Sequence, residues 1–279
     1  MPELPEAETI VRGLSPAVTD RRIAEVDVVH HDVLDGGAAA FSRRLEGTRI
    51  AAVRRRGKNI VLRLDSEDRL VVNLGMSGRL LHRCPDDDTA PPTHPAVRFR
   101  LEGPGHLVYH DVRRFGRLQV LDGEAYRQWS RSLGPEPLGR RFTGRRLADD
   151  LSRSKSPIRS WLLDQRRVVG VGNIYANEAL HRARIHPRTP ARTIDGEAAR
   201  RLHRAIRKVL RDSIQAQGTT LRDYRTARNE EGSYAHRLRV YGREGEPCPR
   251  CGTPVERVVF GNRSAFFCPT CQPEPDPSS

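Results

Sequence analysis

Four cysteines near the end of the chain, Cys248, Cys251, Cys268 and Cys271, are spaced C-x2-C-x16-C-x2-C. Two such knuckles set four thiolates tetrahedrally about one ion, with metal–sulfur bonds of about 2.3 Å. Four sulfur ligands leave no open coordination position, so the expected cofactor is one structural Zn2+, not a catalytic metal. Disulfide pairing is the competing reading, and two C-x2-C knuckles in an intracellular chain argue against it. Cys84 stands apart from the cluster as a spare thiol. A second chemical feature is the start, Met1-Pro-Glu-Leu-Pro-Glu6. Removal of Met1 would expose the secondary amine of Pro2. An α-amine titrates about two to three units below a lysine, so a useful fraction is neutral and nucleophilic near neutral pH. At a helix N-terminus the positive dipole end disfavours its charged form further. Glu3 and Glu6 supply carboxylates beside that amine for acid–base work. Taken alone, Pro2 would equally be a helix starter and the acids a complement to the helix dipole; for Glu8 that plainer reading is adopted.

The elements that must position these groups follow from the pattern. Residues 3–14 read as a helix with Leu4, Ala7, Val11 and Leu14 on one face and proline only in the first turn. From about 23 to 121 short strands follow, IAEVDVV, RIAAVRR, NIVLRL, RLVVNL, AVRFRL, HLVYH and RLQVL, separated by Gly-, Asp- and Pro-rich turns. So many short strands suggest an antiparallel sandwich or barrel. Segment 126–156 reads as a linker with a short helix around 145–153. Helical patterns then dominate at 157–164, 173–183 and 195–217, the first two joined by QRRVVGVGN. Asn173 opens a helix after Gly170-Val-Gly172, where its side chain and the backbone N–H groups could hold a phosphate; a plain N-cap is the alternative. The fold class is α+β, organised as 1–125 (N-terminal helix and antiparallel β-sandwich, catalytic), 126–156 (linker), 157–237 (helical), 238–272 (four-cysteine zinc ribbon) and 273–279 (disordered tail).

Charge points to the partner. Lys plus Arg number 49 against 35 Asp plus Glu, giving a net charge of +14. That balance favours a polyanion, because each neutralised phosphate releases condensed counterions. The cations are spread along the chain as RRRGKN, DVRRFGR and DQRR, which suggests an extended binding face and not a basic tail. Only three of the cations are lysines; Lys58 and Lys155 stand in predicted turns, and Lys208 lies in a helical pattern. No apolar run approaches the roughly 20 residues that cross a membrane, and the start is acidic and unlike a signal peptide. A cytoplasmic, nucleoid-associated monomer is expected.

The motifs together resemble one family. Met1-Pro-Glu-Leu-Pro-Glu6, Leu74-Gly-Met-Ser-Gly78, Asp111-Val-Arg-Arg-Phe-Gly116, Gly170-Val-Gly-Asn-Ile-Tyr-Ala-Asn-Glu178, Val240-Tyr-Gly-Arg243 and the zinc knuckles resemble formamidopyrimidine-DNA glycosylases, in chain order from residue 2 to about 272. Leu4 and the LGMSG segment favour this branch over the sibling endonuclease VIII type. The resemblance implies a helical domain of the helix-two-turns-helix kind. It also implies a base excision repair enzyme that flips oxidised purines (8-oxoguanine, formamidopyrimidines) out of double-stranded DNA and excises them. An iminium at Pro2 would then lead to strand cleavage by β,δ-elimination. By the same resemblance Glu3 is the acid–base partner, Glu6 and Glu178 are supporting acid–base groups, and Lys58 contacts phosphate near the reaction centre. Met76, Arg113 and Phe115 fill the vacated position, read the orphaned cytosine and wedge the stack. Lys155, Asn173 and Arg263 contact phosphates, and Thr219, Thr220, Arg222 and Tyr224 belong to the loop that closes over the flipped base.

Some positions depart from the pattern. Arg228-Asn-Glu-Glu-Gly-Ser233 stands where relatives typically carry Asp-Gly-x-x-Gly, which bears on preference for 8-oxoguanine. Ala96 stands in place of a usual histidine after His94, and Val112 in place of a common proline. Two rivals remain: an endonuclease VIII-like glycosylase for oxidised pyrimidines, and a catalytically silent zinc-finger DNA-binding relative. An intact Pro2, Glu3 and Lys58 argue against the latter, since binding alone requires no N-terminal amine.

Overall fold

The computed structural model describes residues 2–84, 93–221, 224–227, 229–260 and 262–275. The chain forms two compact units: one runs up to Ser132 and includes Ile214–Ala235, the other comprises Leu133–Ser213 and the chain from His236 on.

In the first unit, helix α1 (Leu4–Val18) precedes β1 (Ile23–Val28), α2 (Ala38–Leu45), β2 (Ile50–Arg56), β3 (Asn59–Leu64), β4 (Arg69–Asn73), β5 (Arg79–Arg83), β6 (Pro95–Leu101), β7 (His106–His110), β8 (Arg117–Leu121) and α3 (Gly123–Ser132). Two four-stranded sheets form, in the orders β1-β6-β7-β5 and β2-β3-β4-β8. Every pairing is antiparallel, as the short alternating strands and tight turns predict. One core runs through both sheets: Val26, Val97 and Phe99 from the first, Ile60, Leu62, Val72 and Leu118 from the second. Helix α1 adds Ile10, Leu14 and Val18 at helical spacing, and Gly13 on the same helix accepts Ala227 so closely that a Cβ there would lie 2.9 Å from the Ala227 Cβ.

Three elements escaped the sequence pattern. Helix α2 buries only Phe41 and Leu45, a single i,i+4 pair inside a stretch of strands. Helix α3 buries no residue fully, so no apolar stripe marks it within the expected linker. Strand β5, RLLHR, lies outside the seven expected strands. Helix α1 also runs four residues beyond the expected end, through Pro16, which falls in its last turn.

The second unit holds α4 (Gly144–Leu151), α5 (Ile158–Leu163), α6 (Asn173–Ala183), most of α7 (Gly196–Gln215) and the hairpin β9 (Glu256–Phe260) and β10 (Arg263–Phe267). Gln165 ties down the α5–α6 connection: its amide donates to the Leu163 and Val171 carbonyls and its oxygen accepts from Gly170 N–H. Segment 214–235 belongs to the first compact unit, where Thr219 N–H bonds Glu6 and Tyr224 and Ala227 join the core that α1 helps form.

Candidate functional site

Helix α1 begins with a reciprocal cap. Glu3 is the N-cap, and its side chain accepts the Glu6 N–H while the Glu6 Oε2 accepts the Glu3 N–H at 2.8 Å. Both side chains are buried, at 3% and 1% exposure. The second Glu6 oxygen, Oε1, accepts the Thr219 N–H at 2.7 Å. One carboxylate thus binds the backbone next to Pro2 and the loop expected to close over a flipped base. Gly218 makes this approach feasible: with φ +89° and a Cβ position 2.9 Å from Tyr224 Cε1 and 3.1 Å from Glu6 Oε1, only glycine fits. The Tyr224 hydroxyl donates to the Gln217 carbonyl, and burial together with the Glu6 charge pushes this phenol well above its ordinary range, so it remains a donor. Thr220 Oγ1 accepts the Gly232 N–H and donates to the Tyr224 carbonyl. Arg222 and Arg228 lie outside the described residues.

Lys58 occupies the β2–β3 turn after Gly57 and is buried to 8% exposure. The turn is docked from the side by Arg55, whose Nη1 donates to the Gly57 carbonyl and whose Nε lies 3.0 Å from Glu8 of α1. Arg56 bonds Ser130 Oγ and the Ser130 carbonyl of α3. Glu8, read from sequence as a mere dipole complement, is therefore the anchor between helix and hairpin. Burial opposes its charge, but the Arg55 and Arg12 guanidiniums offset this and hold its carboxyl below the usual range.

Met76 and Phe115 are 40% and 55% exposed, so neither belongs to the core. Arg113 places its guanidinium 4.6 Å from the Phe115 ring centroid. A buried carboxylate that the sequence reading passed over, Asp111 at 1% exposure, lies beneath them. Its Oδ1 accepts Ser77 Oγ–H at 2.6 Å and its Oδ2 accepts the Tyr109 hydroxyl at 3.0 Å and the Gly116 N–H at 2.8 Å. Its only visible signal in sequence was a lone acid leading a basic motif. Ala96 is fully buried in β6, whereas Val112 is 53% exposed beside Arg113.

In the second unit α6 begins at Asn173 as expected, and its N-cap is Gly172, which removes the alternative that Asn173 is a plain N-cap. The Asn173 side chain is already engaged: Nδ2 donates to the Ser264 carbonyl at 3.1 Å and Oδ1 accepts Arg159 Nη2 at 2.6 Å. Asn177 Oδ1 accepts the Phe266 N–H, so α6 grips β10 at two points. Arg159 is the residue missed here. It is 1% exposed and stacks on Phe260 at 4.8 Å; among the described residues it bonds only neutral oxygens and its buried Nε has no partner. Burial and the neighbouring Arg263 lower its pKa to about 10, which leaves it charged at neutral pH. A desolvated cation near another cation is left without charge compensation among the described residues. Lys155 is exposed in the turn before α5; the cation placed against Asn173 is Arg159. Arg263 is exposed at the start of β10.

Glu178, expected as a supporting acid–base group, lies in α6. It is 1% exposed, and its oxygens accept the N–H groups of Arg239, Val240 and Tyr241 at 3.0–3.1 Å. Lone pairs committed to three backbone donors hold the chain entering the zinc ribbon to α6. Desolvation raises its pKa against those hydrogen bonds.

The ligand atoms of Cys248, Cys251, Cys268 and Cys271 lie within 4.8 Å of one another, and none of the four is in a disulfide. The Cys251 sulfur is 3.4 Å from that of Cys268 and 3.5 Å from that of Cys271. Sulfurs of a tetrahedral site with bonds of about 2.3 Å stand about 3.8 Å apart, so the cluster fits one Zn2+. His181 Nε2 is 3.4 Å from Cys248 Sγ, and Gln272 bridges Cys268 N–H to the Ile185 carbonyl, the supporting contacts that orient metal ligands.

Comparison with known proteins agrees over nearly the whole chain. Residues 1–118 match the formamidopyrimidine-DNA glycosylase N-terminal domain, 133–225 its H2TH domain, and 245–273 the zinc finger found in FPG and IleRS. Formamidopyrimidine-DNA glycosylases of Chloroflexus aurantiacus and Chloroflexus aggregans are 42% and 44% identical, each alignment covering 98% of both chains. The MutM (Fpg) protein of Thermus thermophilus superposes with a TM-score of 0.87 at 43% identity, over 98% of this chain and all of that one. A Lactococcus lactis Fpg variant in complex with DNA containing Fapy-dG superposes with a TM-score of 0.91 at 30% identity, with the same coverage. The chain belongs to the formamidopyrimidine-DNA glycosylase family.

Proposed function

We propose that this chain excises oxidised purines from double-stranded DNA and then cuts the strand, with the Pro2 nitrogen as nucleophile once Met1 is removed. The observation that supports this most is the Glu6 carboxylate, which binds the backbone beside Pro2 and the loop at Thr219 together. Attack by the Pro2 nitrogen on the sugar carbon bearing the damaged base displaces the base as its bond breaks. Loss of the Pro2 N–H proton and opening of the ring C–O bond, whose oxygen takes a proton from Glu3, then give an iminium that acidifies the neighbouring carbon and permits elimination of the 3′ phosphate. Glu3 serves as the acid–base group for the sugar oxygen, and Lys58 holds charge on the phosphate backbone nearby.

Flipping the base costs about a few kcal/mol of unstacking. Met76 and Phe115 offset it by occupying the gap, and Arg113 reads the orphaned base. Arg159 and Arg263 take backbone phosphate while Asn173 orients Arg159, and the Zn2+ module carries Arg263 as a rigid clamp. No described helix is long and apolar enough to cross a membrane, and we place the protein with DNA in the cytoplasm, at the nucleoid.

The test is single-turnover excision from duplexes carrying 8-oxoguanine opposite cytosine, thymine glycol, or undamaged guanine. Faster release from 8-oxoguanine supports the purine reading. A preference for thymine glycol replaces it with the pyrimidine one, which gains support from a complex of Lactococcus lactis Fpg with oxidised-pyrimidine DNA at a TM-score of 0.90. Binding without excision of any lesion points to a silent relative.

A further inference from the structure

We infer that Asp111, with Ser77, is a positioning residue for base extrusion: it locks the Met76 loop and the Arg113–Phe115 loop into one rigid, preassembled wedge. This rests on the wedge roles given to Met76, Arg113 and Phe115 above.

The two loops come from different strand connections, β4–β5 and β7–β8, and neither has a regular ladder at its tip. What joins them is a buried hydrogen-bond set around one carboxylate. Asp111 Oδ1 accepts Ser77 Oγ from the first loop, and the same Ser77 oxygen accepts the Arg113 N–H at 3.1 Å, so Ser77 bridges both sides. Asp111 Oδ2 takes the Gly116 N–H at the far end of the second loop and the hydroxyl of the fully buried Tyr109 below it. The backbones touch directly as well. Gly75, at φ +55°, has no room for a side chain: a Cβ there would lie 2.5 Å from Gly116 N and 2.6 Å from the Phe115 carbonyl carbon.

The consequence is physical. An apolar tip on a loose loop would collapse onto its neighbours in free protein and would have to be ordered during insertion, which slows the step. Here Met76 and Phe115 stay exposed because their loops are held from beneath, and Arg113 is already stacked on Phe115. The buried acceptor charge strengthens each of its hydrogen bonds relative to a neutral acceptor. Asp111 touches neither the reacting sugar nor Pro2 in this scheme, so its loss separates extrusion from chemistry.

The test uses full-length protein and a duplex with 2-aminopurine next to the lesion, whose fluorescence rises on unstacking. Asp111→Asn keeps size but presents an amide to donors, and Ser77→Ala cuts only the bridge between loops. Both should slow the fluorescence rise and duplex excision about tenfold or more, the scale of one lost charge-assisted hydrogen bond. Cleavage of a preformed abasic site in single-stranded DNA, where nothing must be extruded, should stay within about threefold. Met76→Ala and Phe115→Ala serve as references. If these slow extrusion while Ser77→Ala and Asp111→Asn do not, the positioning role is wrong and the wedge reading survives. Should Met76→Ala and Phe115→Ala leave extrusion unchanged, both fall. Equal loss of single-stranded abasic cleavage in Ser77→Ala would reduce Asp111 and Ser77 to general fold stability and overturn the inference.

Discussion

Replacing Glu6 by Gln changes one atom of a buried side chain and removes its charge. The carboxylate has one oxygen on Glu3 N–H and the other on Thr219 N–H, at 2.8 and 2.7 Å. An amide has a single acceptor, so one of these two backbone donors must face an NH2 group instead. A hydrogen bond to a charged acceptor contributes about 1.5–3 kcal/mol, and a buried donor left unpaired costs about 1–3 kcal/mol. Part of each figure describes the same loss, so the net expectation is destabilisation by about 2–4 kcal/mol, with the shortfall concentrated at whichever contact breaks. Denaturant unfolding of the full chain measures the total. Hydrogen exchange of peptides spanning 217–221 shows whether the loop has been released, and borohydride trapping on abasic DNA shows whether the Pro2 end is disordered. Glu6→Ala, which leaves both donors unpaired, should be at least as destabilised. A Glu6→Gln protein within about 0.5 kcal/mol of wild type, with the 217–221 amides still protected, would refute the claim that this carboxylate organises the site.

Three further outcomes are expected. Cys268→Ser should lose bound Zn2+ by elemental analysis and weaken DNA affinity; full affinity without metal would contradict the clamp role. Affinity should fall steeply with salt, and replacing Lys58, Arg159 or Arg263 by Gln should each shallow the log–log slope by about 0.9; an unchanged slope for Arg159→Gln would remove it from the phosphate contacts. His110 is buried, and desolvation, then Arg79 and His94, hold its pKa below the ordinary value. The unfolded chain therefore takes up the proton first, and stability should fall as pH drops below about 6.5. His110→Gln should flatten that fall, and an equally acid-sensitive variant would exclude His110 as a source.

The groups with fixed local spacing were legible from sequence: the zinc knuckles, the Pro2–Glu3–Glu6 start, and the strand and helix patterns around them. What escaped depends on contacts distant in the chain. Asp111 is one acid in a basic motif until Ser77, 34 residues earlier, is seen bonded to it. Glu178 entered through the resemblance alone, and its partners, backbone N–H groups more than 60 residues later, show only in the structure. Arg159 is one of many arginines, and its burial without an acidic partner among the described residues is what distinguishes it. Helices α2 and α3 bury too few side chains to impose a period on the sequence.

The measurement closest to the central claim is peptide mapping of the adduct formed when borohydride reduces the enzyme bound to 8-oxoguanine DNA. The account predicts the deoxyribose-derived mass on the amino-terminal peptide, attached at Pro2 with Met1 absent. Attachment at Lys58, or full strand-cleaving activity in material that retains Met1, would contradict it.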